Sequence, residues 1–472
     1  SNGTVAVQSL FGAGLLKLNS TALTVSDGSF TGTIQNGTAS GSVIKSGTGT
    51  LTLGGTNTFS GGLTVQGGTV LASNNAALGT GTLTMGTGQL SSDSTTARIF
   101  TNGFALGGSV TLGSSTNTGS LTFSSAGTFS GTLSLTTPSP VYFTGTLAGG
   151  YNLTKLGNSE LVLAGSNSFA GVPPLTTVGA GTLTLSGGNA LPNSTDVSIS
   201  TGAQLKLLAS EEVATVGGSG SVSLQSNTLT VSGPNDTTLY GIISGIGGSL
   251  VKNGSATFTV NGANTFSGGV TVNAGTIRVG NNSALGTGPL QLLGGSLSSN
   301  STSAWSLGNN YILSGTMSLG DTVKSGSLTL TGTGTIISNA TVLVQSPVVL
   351  SGPVVGAYDL TKDGAGEMVL SGTNSFSGAT KVNGGTLTLA GGAALVDSMN
   401  VTVNAGGLLK LAASETIGSL AGAGLVSLQS NTLTLSGSVN TTFSGTISGT
   451  GSLVKNGNAN FTLSGSEAYT GP

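Results

Sequence analysis

Long stretches of this sequence occur twice. Gly55-Thr-Asn-Thr-Phe-Ser-Gly-Gly62 recurs as Gly262-Ala-Asn-Thr-Phe-Ser-Gly-Gly269, and Asn74-Asn-Ala-Ala-Leu-Gly-Thr-Gly81 recurs as Asn281-Asn-Ser-Ala-Leu-Gly-Thr-Gly288. Tyr151-Asn-Leu-Thr-Lys155 likewise matches Tyr358-Asp-Leu-Thr-Lys362. All three pairs lie 207 residues apart, and the shift falls to 204 where Leu224-Gln-Ser-Asn-Thr-Leu-Thr230 matches Leu428-Gln-Ser-Asn-Thr-Leu-Thr434. A chain made of copies must place each copy in an equivalent environment. Stacking does this, because each unit then contacts mainly its neighbours.

A shorter element lies inside each copy. It runs from Leu/Val-x-Lys-x-Gly through an alternating stretch to Gly-x-Asn-x-Phe-Ser-Gly, then through a second alternating stretch to Gly-Thr-Leu. Its lysines are Lys45, Lys155, Lys252, Lys362 and Lys455; its asparagines are Asn57, Asn167, Asn264 and Asn374. Its aromatic residues are Phe59, Phe169, Phe266, Phe376 and, last, Tyr469. Successive elements are spaced alternately by about 110 and about 95 residues.

Within the elements the hydrophobic period is two. Gly181-Thr-Leu-Thr-Leu-Ser186 places Leu183 and Leu185 on one face and Thr182 and Thr184 on the other, and Thr50–Leu53, Thr228–Val231, Thr386–Leu389 and Thr432–Leu435 follow the same rule. This is the pattern of half-buried strands, and the runs end at Gly, Asn or Ser-Gly, residues suited to sharp corners. No amphipathic helix is read. A sandwich or barrel seldom uses 472 residues in one domain. The expectation is therefore an all-β chain, a parallel β-helix or β-solenoid in the form of an elongated rod. With roughly 20–25 residues to a turn and about 4.8 Å between strands, about twenty turns would extend on the order of 100 Å. Residues 1–472 read as one continuous solenoid: a partial unit over 1–40, long units over 41–247 and 248–451, and the start of a third over 452–472.

Lys-x-Gly-x-Gly-x-Leu-x-Leu-x-Gly-x-Asn-x-Phe-Ser-Gly-Gly-x-x-x-Val-x-x-Gly-Thr-Leu resembles the autotransporter-associated β-strand repeat, also called the passenger-associated transport repeat. Lys45 to Val70 and Lys362 to Leu389 carry the resemblance most clearly, and Lys252 to Ile277 is close. Lys155 to Leu185 departs from it at Val172-Pro173-Pro174, a pair of prolines expected to distort a corner or mark an edge. The resemblance implies a right-handed parallel β-helix in bacterial secreted or surface-displayed proteins, which normally carry a C-terminal translocating barrel. No such barrel is read in these residues.

Composition narrows the chemistry. Cys and His are absent, so zinc fingers, Cys/His metal sites, Ser/His or Cys/His catalysis and disulfides are excluded. Twelve basic residues spread along the chain leave no footprint for nucleic acid. Only 6% of residues are charged, and residues 99–154 carry no charge, which spares stacked turns from like-charge repulsion. No apolar run approaches the length of a membrane helix, so this segment is not expected to enter a membrane, and Ser1-Asn2-Gly3-Thr4 has no signal-peptide character. The acids are scattered; Glu211-Glu212 and the trio Asp359, Asp363 and Glu367 are the local groups, and no catalytic, metal or cofactor site is expected.

The repeated lysines read as residues whose stems cover apolar surface while their ammonium groups stay in water, with Glu160 and Glu367 placed to pair with Lys155 and Lys362. Asn-x-Phe-Ser-Gly reads as a corner, in which Asn adopts the turn or hydrogen-bonds its backbone, Phe inserts into the core and Gly turns the chain. A hydroxyl ladder for ice or polysaccharide would need Thr82/Thr84, Thr182/Thr184 and Thr386/Thr388 in register on one face. Val7 through Val25 aligns with Ile417 through Leu435, and Glu467 to Pro472 aligns with repeat interior as well. The expected partners are therefore continuation of a longer array or end-to-end stacking of subunits. The expected function is a non-enzymatic, extracellular or bacterial cell-surface structural solenoid forming a stalk, fibre or matrix filament. The alternative is an adhesin or carbohydrate- or ice-binding passenger using a Thr/Ser face, with a surface glycan as partner.

Overall fold

The computed structural model describes residues 3–471; Ser1, Asn2 and Pro472, on which part of the expectation about the chain ends falls, lie outside the described residues. The described residues form short strands joined by turns, with no helix. The chain divides into two compact units, Ser1–Ser232 and Gly233–Pro472, and each is a parallel β-solenoid.

The alternating sequence explains the stacking. In the first unit Val43 pairs with Leu63, Leu63 with Leu83 and Leu83 with Phe104, all in parallel strands and all buried. One turn of chain passes from Leu83 along the strand Leu83–Ser92, crosses to the strand Arg98–Phe100 and returns to Phe104. In the second unit the same column reads Leu250, Val270, Leu290 and Tyr311. Each inward residue lies over another inward residue, so the core is a bundle of side-chain columns enclosed by backbone hydrogen bonds between turns.

The two units fill one column differently. In the first, Phe100, Phe123 and Phe143 stack on successive turns with ring centroids 5.4 Å apart, and Phe104 packs 5.2 Å from Phe123 and Phe143. In the second, the corresponding column is Leu307, Leu330 and Leu350, and Tyr311 stands in the place of Phe104. The next turn carries a glycine over this ring in both units. A Cβ on Gly127 would come within 2.1 Å of Phe104, and one on Gly334 within 2.4 Å of Tyr311. Only glycine leaves room for an aromatic ring that tilts across turns.

The divergent element around Val172 is also resolved. The Val172–Pro173 peptide is cis and Val172 is 99% exposed. Asn152 holds this loop from the preceding turn: its Oδ1 accepts from Gly171 N (3.1 Å) and Leu175 N (2.9 Å), and its Nδ2 donates to the Pro173 carbonyl (3.1 Å).

Candidate functional site

The repeated polar residues are turned inward. Lys45, Lys155, Lys252 and Lys362 are at most 1% exposed. This corrects the expectation that their ammonium groups stay in water. Each lysine occupies a core slot of its strand: Val25, Lys45 and Val65 form one inward column, in which the lysine stem packs. The ammonium then reaches the corner and donates to backbone carbonyls. Lys155 Nζ donates to Leu156 O (3.2 Å), Gly157 O (2.6 Å) and Ser159 O (2.6 Å) on its own turn and to Ala180 O (2.9 Å) on the next. Lys362 Nζ does the same with Asp363 O, Gly364 O and Gly384 O, and Lys45 Nζ with Ser46 O, Gly47 O and Gly67 O. Lys252 Nζ donates to Gly254 O, and Lys455, which is exposed, to Gly457 O.

The glycine of Gly-Thr-Leu belongs to the same device. Gly385 has φ +62°, and a Cβ there would lie 2.8 Å from Lys362 Nζ; Gly68 stands in the same way over Lys45. Burial pulls the ammonium pKa of Lys155 and Lys362 down to about 8, which leaves both charged at neutral pH. Burial also lowers Lys45 and Lys252, opposed by the charges of Asp27 and Asp236 respectively. A buried ammonium with its N–H groups on carbonyls fastens a corner; it is not available to bind a polyanion.

Each asparagine of Asn-x-Phe joins three turns. Asn57 Oδ1 accepts from Ile34 N (2.8 Å) on the preceding turn and Nδ2 donates to Ala77 O (2.6 Å) on the following one. Asn167 makes the same pair of bonds with Leu147 N and Ala190 O, Asn264 with Ile243 N and Ala284 O, and Asn374 with Val354 N and Ala394 O, all at 2.6–2.8 Å. None of the four adopts a left-handed conformation; of the two expected roles the asparagine takes the hydrogen-bonding one, but to the backbone of the adjacent turns and not to its own. Phe59, Phe169, Phe266 and Phe376 are at most 2% exposed, and the Phe169 ring lies 4.6 Å from that of Phe129. Tyr469 is half-buried.

A second tier of bridges was not read from the sequence. Glu211, 3% exposed, accepts from Leu191 N (2.7 Å) and Ala190 N (3.2 Å), and Glu415 accepts from Leu395 N (2.8 Å) and Ala394 N (3.3 Å). Ala190 is therefore held by Asn167 through its carbonyl and by Glu211 through its N–H. In the other two elements Asn102 and Asn309 occupy this tier, donating to Gly79 O and Gly81 O and to Gly286 O and Gly288 O. Burial raises the carboxyl pKa of Glu211 and Glu415, and the backbone N–H donors oppose that rise. The signal that could have identified Glu211 is its parity with Val213, which places it on the inward face.

Two further expectations are corrected. Glu160 does not pair with Lys155; its carboxylate accepts from Thr184 Oγ1 (2.5 Å) and lies 3.7 Å from Lys206. Glu367 likewise meets Thr388 (2.5 Å) and Lys410 (3.8 Å). Strand parity keeps these glutamates on the outer face, opposite the lysines of their own turns. Nor do the named threonines form a ladder. Thr84 lies between Thr64 and Ala105, Thr184 between Val162 and Lys206, and Thr388 between Val369 and Lys410. An outward Ser/Thr file does run through Ser109, Ser134, Thr154, Thr177 and Ser198, but its counterpart in the second unit is interrupted by Lys381, which pairs with Asp359 at 3.1 Å.

Among the described residues no three Asp or Glu cluster as metal ligands do, and no helix is long and apolar enough to cross a membrane. The passenger-associated-transport-repeat profile matches residues 43–72, 153–178, 250–279, 360–389 and 453–472, the segments that contain the lysines and asparagines described above. The adhesin BmaC autotransporter of Brucella suis biovar 1 (strain 1330) is 34% identical over 449 residues. That alignment covers 90% of this chain and 12% of the relative, so the chain spans about an eighth of that protein's length. No solved structure matches the chain. The chain thus carries five segments that match the passenger-associated transport repeat, and the inward lysine, the asparagine bridge and the buried phenylalanine recur in the first four of them.

Proposed function

We propose that this chain is a load-bearing stretch of solenoid from the passenger of a surface-displayed, adhesin-type autotransporter, and that it has no catalytic role. One observation carries the reading. The polar groups that recur most regularly, the repeated lysines, the Asn-x-Phe asparagines and Glu211 and Glu415, are spent on backbone groups of their own and adjacent turns rather than facing a cleft. Side chains so committed hold turns together and are not free to act as acid, base or nucleophile. The likeness to an autotransporter adhesin over 90% of the chain supports a location at the cell surface or outside the cell.

The test is display. The chain, expressed within its full-length protein, should be cleaved by protease added to intact cells, and deleting one long unit should shorten the surface projection seen by electron microscopy. A chain retained inside the cell would sink this reading. End-to-end stacking of copies is a separate proposal, checked by whether the sedimentation coefficient of purified chain rises with concentration.

A further inference from the structure

Each unit carries the same depression beside the first of its two Asn-x-Phe corners. In the first it has a volume of about 380 Å³ and is lined by Asn57, Asn75, Thr80, Ile99 and Thr101 among others. In the second it has a volume of about 250 Å³, and Asn282, Ser283, Thr287 and Asn309 contribute to its wall. Asn75 and Asn282 are equivalent positions of the duplication, as are Thr80 and Thr287.

The construction of both depressions is the same. Asn74 and Asn281 each close the local turn by accepting from the N–H two residues ahead (2.8 Å). The next asparagine is exposed, and its amide is oriented by the following turn. Asn75 Oδ1 accepts from Ile99 N at 3.0 Å, and Asn282 Oδ1 from Ser306 N at 2.8 Å. Each amide thus presents an Nδ2 group that has no protein acceptor among the described residues. Thr80 and Thr287 add hydroxyls whose single weak contact is a phenylalanine carbonyl at 3.4 Å.

No charged side chain lines either depression. The nearby Arg98 is occupied by Asp93 at 2.7 Å and by Ala72 O at 3.0 Å. A site of oriented amide and hydroxyl groups without charge suits a neutral polyhydroxylated ligand and offers nothing to balance an ion. Ile99, 48% exposed, adds an apolar wall of the kind that meets the C–H face of a pyranose. We propose that these two depressions are subsites for neutral sugar residues of a surface glycan.

The proposal rests on the surface-passenger reading for where such a glycan is met, and it differs from a threonine ladder in using pockets. The units also differ in a useful way. Ser306 and Gly308 stand where the first unit has Ile99 and Thr101, and Ser283 where it has Ala76, so the second subsite keeps two hydroxyls but lacks the apolar wall. It should bind more weakly.

The experiment is saturation-transfer NMR on the whole chain with methyl glycosides of glucose, galactose, mannose and N-acetylglucosamine, and methyl glucuronide as the charged control. At least one neutral glycoside should saturate and the glucuronide should not. Asn75→Ala should weaken binding by roughly tenfold, and adding Asn282→Ala should abolish it. Ile99→Trp, at an exposed position that leaves the fold untouched, should tighten binding several-fold by stacking. The pockets are refuted if no neutral glycoside binds, if the double variant binds as before, or if glucuronide binds equally well. Protease accessibility on intact cells is scored in parallel. A chain that reaches the surface but ignores every glycoside loses only the pockets, whereas a chain that never reaches the surface loses the passenger reading.

Discussion

Lys155 Nζ lies 2.9 Å from the carbonyl oxygen of Ala180, on the next turn of the solenoid. The ammonium also holds three carbonyls of its own turn, so one side chain fixes a corner and joins it to its neighbour. Lys155→Met keeps the stem and removes the donor, so Gly157 O and Ala180 O lose their partner while Leu156 O and Ser159 O keep the N–H groups of Thr137 and Thr182. The expected cost is about 3 kcal/mol. Urea titration should show it as a lowered midpoint, while Lys455→Met, at an exposed position, should leave the midpoint in place.

Asn264→Leu removes a bridge between Ile243 N and Ala284 O. Two buried backbone groups on two different turns lose their partners, at about 2–4 kcal/mol. Hydrogen exchange should report it as lost protection of the Ile243 amide together with loosening of the turn around Ala284. Normal protection at Ile243 would show that the bridge is not what holds these turns.

Phe266→Ala empties a fully buried slot in the same element and should cost about 3–5 kcal/mol. An unchanged unfolding profile for the turns on either side would refute its place in the core.

Glu211 and Glu415 predict a dependence on pH. Burial raises their carboxyl pKa above the 4.5 of a free glutamate, so the folded chain keeps these protons to higher pH than the unfolded chain does. The folded state then binds more protons than the unfolded state in the window above 4.5, and stability falls as pH rises through it before levelling off above the folded pKa. Urea midpoints measured between pH 4 and pH 8 should show that decline. Glu211→Gln with Glu415→Gln should remove it, at a loss of about 1–2 kcal/mol per site, because an amide NH₂ now faces one of the two N–H donors.

Tyr311 shows what the duplication left unfinished. Its ring is 1% exposed, its hydroxyl has no partner, and burial raises its phenol pKa far above the ordinary value. The equivalent residue in the first unit is Phe104. Tyr311→Phe should therefore stabilise the second unit by about 1–2 kcal/mol, seen as a higher thermal midpoint.

The architecture was legible because alternation and duplication are properties of the sequence itself. Leu183 and Leu185 point inward and Thr182 outward, as the period of two requires. The lysines were misjudged for a related reason. Lys155 shares its parity with Leu153, and parity alone would have turned it inward; residue type argued the opposite, since a lone lysine is rarely buried. What was missing was the ring of carbonyls that makes burial tolerable: three come from the corner just after the lysine, and the fourth comes from the next turn, 25 residues away. Glu160 was misassigned by sequence proximity, because its partner Lys206 lies two turns further on. The pocket asparagines Asn75 and Asn282 were visible as copies, but their orientation depends on Ile99 and Ser306, which no local motif connects to them.

The asparagine bridges also solve a problem of identity among look-alike strands. A chain of Thr-Leu-Thr-Leu segments can slide by two residues against its neighbour and still put leucine inside and threonine outside, so hydrophobicity cannot tell the right pairing from the wrong one. After such a slide, Asn57 would no longer face both Ile34 N and Ala77 O, and both would be left without partners in the interior. The amide thus acts as an index mark, which lets a monotonous sequence find a single alignment.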